Sequence, residues 1–165
     1  MKLNPSANLP SAEPGAAPGL ELERFLPYRL SVLTNRISTA IARVYVRRFA
    51  LTVPEWRVMA VLGRFGPMSA NAVCERTAMD KVRVSRAVAR LAAASRLERR
   101  IDSTDRRRAL LELTPGGRAV YDEIGPLALA VEARLLAQLS AEDRADLARL
   151  LPKLEAVAAT SFAEG

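Results

Sequence analysis

Two short helical segments separated by only Thr77-Ala78-Met79, followed at once by a change of hydrophobic period, constrain this chain more than any other feature. The first segment spans about Ser69 to Arg76 with Ser69 as N-cap. The second starts behind Asp80 and runs to about Ala94, since Ser and Asp oxygens accept the orphan amides of a first turn. So brief a break is helix-turn-helix spacing. Leu97–Ile101 and Ala109–Thr114 then read as two short strands. The polar, turn-prone stretch from Asp102 to Arg108 between them makes a hairpin with a basic tip.

The flanks are helical. Leu26, Leu30, Leu33, Ile37, Ile41 and Val44 recur at helical spacing, so one long helix is expected from about Leu22 to Phe49, with Pro27 placed to kink its first turns. Thr52-Val-Pro-Glu55 is a capping box with Pro in the first turn, and Gly66-Pro67 ends the helix it opens. Thr114-Pro115 opens a long helix to about Leu139, and Ser140-Ala-Glu-Asp143 opens a last one to about Thr160. The expected fold is mainly α with a small two-stranded β wing. Residues 1–19 hold four prolines among small residues and are expected as a disordered tail. The expected divisions are residues 20–50 as an N-terminal dimerisation helix, 51–114 as the winged helix-turn-helix and 115–165 as C-terminal dimerisation helices. Leu127, Leu129, Val131, Leu135 and Leu139, then Leu147, Leu150, Leu151, Leu154 and Val157, offer more apolar surface than one small body covers, although an intramolecular core explains part of it.

Composition removes most catalytic chemistries. No His occurs, so Ser-His-Asp, Cys-His and His-metal sites are absent. The single Cys74 excludes zinc fingers, CxxC pairs and an internal disulfide; a buried inert thiol is expected rather than a redox sensor, since no second Cys exists to resolve an oxidised form. Neither common nucleotide-binding loop is present, and the strands are too few for a sheet-based enzyme. No cofactor is expected. No apolar run approaches the roughly 20 residues of a membrane span, so no membrane partner is expected and the expected location is cytoplasmic.

The formal charge of +7 is local. From Arg76 to Arg108 stand eleven basic residues against four acids, which leaves fourteen of each sign in the rest of the chain. A neutral body with one basic segment is the footprint of a polyanion binder. In the second helix of the pair, Val84, Val88 and Leu91 share an inward face, while Arg83, Arg86 and Arg90 share a neighbouring one with Lys81, Val82 and Ser85 in the first turns. A helix that presents its N-terminal half to the DNA major groove needs this layout, because Arg bonds guanine O6 and N7 as a fork. At the hairpin tip, Arg106 or Arg107 suits a narrow minor groove, with Asp102 or Asp105 to hold its guanidinium. The alternative for each is a solvated charged face. The expected DNA contacts are Ser69, Lys81, Val82, Arg83, Ser85, Arg86, Arg90, Asp105, Arg106 and Arg107.

Asp80-Lys-Val-Arg-Val-Ser-Arg86, Leu97-Glu-Arg-Arg100, Asp102-Ser-Thr-Asp-Arg-Arg107 and Leu113-Thr-Pro-Gly-Gly117 resemble the DNA-binding unit of the MarR (multiple-antibiotic-resistance regulator) family, and the helix order extends the resemblance over about residues 22–160. One departure is Ser95-Arg96, where the family has Gly and then an apolar residue; Ser95 must take a positive φ or the turn must differ. The resemblance implies a homodimer on a palindromic DNA operator and a small aromatic acid effector held near the dimer helices. In the first helix, Arg29, Ser31, Asn35, Arg36 and Ser38 form polar stripes suited to a carboxylate or ring hydroxyl, against the alternative of a solvated face; Trp56 reads as core rather than pocket wall. The expected function is a repressor of a nearby operon, released from its operator by an aromatic carboxylate or its thioester. A ligand-independent DNA-binding or architectural protein is the alternative. A basic module for acidic partners or lipid surfaces would not need Arg clustered at both a helix N-terminal half and a hairpin tip.

Overall fold

A computed structural model of the chain describes residues 19–101 and 109–161. The element order is α1 (Leu26–Phe49), α2 (Val53–Phe65), α3 (Ala70–Thr77), α4 (Lys81–Ala93), β1 (Leu97–Ile101), β2 (Ala109–Leu113), α5 (Pro115–Leu136) and α6 (Ala141–Ser161). The chain divides into two compact units, Met1–Arg36 and Ile37–Gly165. The expected division at residue 20 falls beside residues outside the description, as does the tail before it. Helix α1 starts later than the expected Leu22. The helix begins at Leu26, so Pro27 occupies a first-turn position where its missing N–H costs nothing.

In the second unit every helix start is written in side chains. The Thr52 amide donates to Glu55 Oε2 at 2.9 Å, and the Ala72 amide to Ser69 Oγ at 3.2 Å. The Arg83 amide donates to Asp80 Oδ1 at 2.8 Å. Before α5 the Gly117 amide donates to Thr114 Oγ1 at 3.0 Å, and before α6 the Asp143 amide donates to Ser140 Oγ at 3.0 Å. These bonds satisfy the donors that each first turn leaves unpaired.

β1 and β2 are antiparallel, with Leu97 opposite Leu113 and Ile101 opposite Ala109. Met68 adds a third edge, its amide and carbonyl both bonded to Leu111. The core is continuous around α2. Tyr45 and Phe49 of α1, Val58, Met59 and Leu62 of α2, Val73 of α3, and Val84, Val88 and Leu91 of α4 are buried together with Leu97, Leu111 and Ile124. Cys74 is half-buried and packs against this cluster.

Ser95 takes the left-handed conformation, φ 55°. The carbonyls on either side of this turn are then captured by one residue. Thr114 Oγ1 donates to the Ser95 carbonyl at 2.7 Å, and the Thr114 amide donates to the Arg96 carbonyl at 3.1 Å. A Cβ at Gly117 would run into the Arg96 carbonyl, so the second glycine of Thr-Pro-Gly-Gly is required by this close approach.

The described residues of α6 from Ala141 to Thr160 are all exposed in the single chain, Leu147, Leu150, Leu151, Leu154 and Val157 among them. Among the described residues no single helix is long and apolar enough to cross a membrane; α5 and α6 reach that composition only together, across a 119° bend.

Candidate nucleic-acid interface

α4 divides cleanly into two faces. Val84, Ala87, Val88 and Leu91 are buried, while Lys81, Val82, Arg83, Ser85, Arg86 and Arg90 are exposed. Val82 is 58% exposed, an apolar side chain left in water at the helix start, where a thymine methyl is a suitable contact. Arg83, Arg86 and Arg90 border one groove of about 700 Å³ with Thr52, Pro54 and Glu55 of the α2 start. Their electrostatic situations differ. Arg83 Nε lies 3.4 Å from Asp80 Oδ2, both side chains exposed. Arg90 Nη1 lies 3.6 Å from Glu55 Oε1, and Glu55 is buried. Arg86 has no ion-pair partner among the described residues. The Ser69 oxygen is committed to the α3 cap, which leaves its O–H as a donor.

On the wing, Arg100 Nη1 bonds Glu112 Oε2 at 2.6 Å, and Glu112's hydrogen bond and charge push the pKa of Arg100 above its ordinary value. Glu98 and Glu112 stand directly opposite each other, a like-charge pair that this arginine offsets. Asp102, Asp105, Arg106 and Arg107 lie outside the described residues.

A second feature sits on the other side of α2. Ser38, Ile41 and Tyr45 of α1 with Val53, Trp56 and Arg57 of α2 line a cavity of about 160 Å³. Arg57 Nη2 donates to Ser38 Oγ at 3.2 Å. Burial pushes the Tyr45 phenol up to about 12, against the opposing pull of the Arg57 charge. Trp56 is half-buried against the core and also forms part of this wall. Its ring packs 5.7 Å from Tyr45 on one side and 6.0 Å from Tyr121 on the other.

A family profile described as "MarR family" matches residues 51–108. The curated HTH-type transcriptional repressor NicR of Pseudomonas putida is 26% identical over 132 residues, which are 74% of this chain and 84% of that protein. A probable transcriptional regulator from Pseudomonas aeruginosa of known structure is 30% identical, with a TM-score of 0.68 over 81% of this chain and 99% of that one. The chain belongs to the MarR family. It is a transcriptional regulator and not an enzyme. The fold also matches Bordetella bronchiseptica BpsR, whose structure is described as explaining regulation of DNA binding by 6-hydroxynicotinic acid. There the identity is 27% and the TM-score 0.70, over 81% of this chain and 94% of that one.

The α4 set stands together on one exposed face. Of the five polar residues in the first helix, Ser38 lines the cavity; Arg29, Ser31, Asn35 and Arg36 are exposed and are not among its lining residues. Two residues escaped the sequence reading. Glu55 was legible as a cap, but its pairing with Arg90 lies 35 positions away in sequence. Arg57 follows Trp56 in a helix whose period marks only its apolar face, and nothing local shows that Arg57 turns toward α1.

Proposed function

We propose that this MarR-family protein acts as a homodimeric repressor of a palindromic operator and is released by a small aromatic carboxylate bound between α1 and α2. DNA contact falls to Ser69, Lys81, Val82, Arg83, Ser85, Arg86 and Arg90, with Asp105, Arg106 and Arg107 at the wing. The observation that carries the effector reading is the Arg57 guanidinium beside Ser38 and the Trp56 ring in one small cavity. A guanidinium with one N–H on a hydroxyl keeps others for a carboxylate, and an aromatic wall suits a flat ring. A dry cavity of roughly 150 Å³ holds a benzene-sized molecule, so a space of about 160 Å³ fits one ring and favours the free acid over a bulky thioester. The description of BpsR names such a ligand, a single-ring acid. NicR's name supports repression.

Release requires that the acid bind the free dimer more tightly than the DNA-bound one, because coupling between two sites is reciprocal. Calorimetry tests this with benzoate, cinnamate and 6-hydroxynicotinate, using wild-type protein and Arg57→Met, each with and without a DNA duplex enriched by the wild type from a random pool. Tighter binding without DNA, lost in Arg57→Met, is expected. Equal affinity in both states, or no binding, would leave a ligand-independent DNA-binding protein.

A further inference from the structure

Glu55 is the one charged side chain buried among the described residues, only 4% exposed. Capping α2 occupies one of its oxygens, Oε2, which accepts the Thr52 amide. The other oxygen has no part in the cap and faces Arg90 of α4 at 3.6 Å. The pair is lopsided, with the Glu55 side chain 6% exposed and that of Arg90 71%. Packing fixes the acid while the guanidinium lies at the surface, so the charge on α2 biases the orientation of the guanidinium. Neither neighbouring arginine is held this way: the acid beside Arg83 is an exposed residue of the same helix start, and Arg86 has none among the described residues.

We propose that Glu55 is a positioning residue for DNA recognition, its fixed charge drawing the Arg90 guanidinium into an orientation in which its N–H groups meet a phosphate. The inference rests on the reading of α4 as the DNA-facing helix. Arg90 stands in the last turn of α4. A helix that reads bases with its N-terminal half brings its last turn toward a strand backbone. A planar fork drawn toward a fixed charge presents its donors in a preferred direction. Base reading then falls to Arg86 and the first-turn residues, and Arg90 sets register.

Charge alone predicts the opposite sign. Removing an acid beside a polyanion-binding surface strengthens binding to all DNA. Glu55→Gln keeps the size and the acceptor for the Thr52 amide, and Glu55→Asp keeps the charge but shortens its reach. Fluorescence anisotropy of the full chain is measured with the duplex enriched from a random pool and with the unselected pool, for these variants, Arg86→Ala, Arg90→Ala and Glu55→Gln/Arg90→Ala. Both Glu55 variants are expected to bind the selected duplex about three- to tenfold more weakly. Binding to the unselected pool stays level or tightens, and the Glu55→Gln loss vanishes in the Arg90→Ala background. Selected-duplex binding by Glu55→Gln at wild-type strength or better, or an equal loss without Arg90, overturns the proposal. If Arg86→Ala still weakens binding in that case, the reading of α4 survives. If neither arginine matters, both fall.

Discussion

The ring of Tyr121 in α5 lies 6.0 Å from the indole of Trp56 in α2 and within 26° of parallel to it, and Gly63 makes the room. A Cβ at Gly63 would sit 2.5 Å from Tyr121 Cδ2 and Cε2. Arg118 closes the arrangement, with Nη1 donating to the Gly63 carbonyl at 2.8 Å and its guanidinium 5.2 Å from the Tyr121 ring centroid. Gly63→Ala must therefore push the ring off Trp56. The expected destabilisation is about 1–3 kcal/mol, the usual cost of overpacking a fitted site. Urea unfolding measures it, and the cost should shrink sharply in a Tyr121→Ala background. A loss of the same size in both backgrounds would show that the ring is not what the methyl meets.

Ser95→Gly is expected to stabilise the protein. Ser95 holds φ 55° between α4 and the wing, where a side chain costs about 1–2 kcal/mol and glycine nothing. Glycine's greater freedom in the unfolded chain returns part of this, so a net gain of roughly 0.5–1 kcal/mol is expected. An unchanged or lower urea midpoint would mean that the Thr114 bonds have relaxed the turn.

This turn also marks the limit of what the sequence discloses. Caps, periods and turns are local, so the helix starts at Ser69, Asp80, Thr114 and Ser140 and the hairpin strands were all legible. The positive φ at Ser95 was legible as one of two options, and the structure selects it. Pro126 and Pro152 stand inside α5 and α6 without ending either helix. The inward and outward faces of α4 follow from its period alone. What stayed hidden depends on pairs far apart in sequence: Glu55 with Arg90, Arg57 with Ser38, Gly63 with Tyr121. No periodicity encodes them.

The buried Tyr45 gives a pH signature. Its phenol ordinarily ionises near 10 and is pushed up to about 12 by burial, so the folded state favours the neutral form. With the folded value above the unfolded one, the stabilisation is fully present below pH 10 and is lost as pH rises through 12. Two pH units correspond to roughly 3 kcal/mol. Tyr45→Phe removes the ionisable group and should flatten the alkaline fall in stability. Denaturation midpoints from pH 9 to 11.5 test this, and an equally steep fall in the variant would exclude Tyr45 as its source.

Dimerisation has the most direct structural motive in α6. A helix of this length is marginal in water by itself and takes its stability from burying an apolar face. Yet no described residue of α6 is buried in the single chain, and Leu147, Leu150, Leu151, Leu154 and Val157 remain 40–59% exposed. Leu127, Leu129 and Leu135 of α5 are exposed as well, as are Leu26, Leu30 and Leu33 in α1. A second copy is the expected cover, since closed symmetric pairs are the commonest assembly and an obligate interface is as apolar as a core. Sedimentation equilibrium should therefore find a dimer at micromolar concentration. Leu151→Asp places a charge on the covered face and should shift the protein toward monomer, with loss of helical circular dichroism as α6 loses its partner. The winged unit, whose core does not include α6, should keep its cooperative unfolding transition. A wild-type protein that stays a folded monomer throughout, with α6 helical, would remove the motive for a two-fold operator as well as for the dimer.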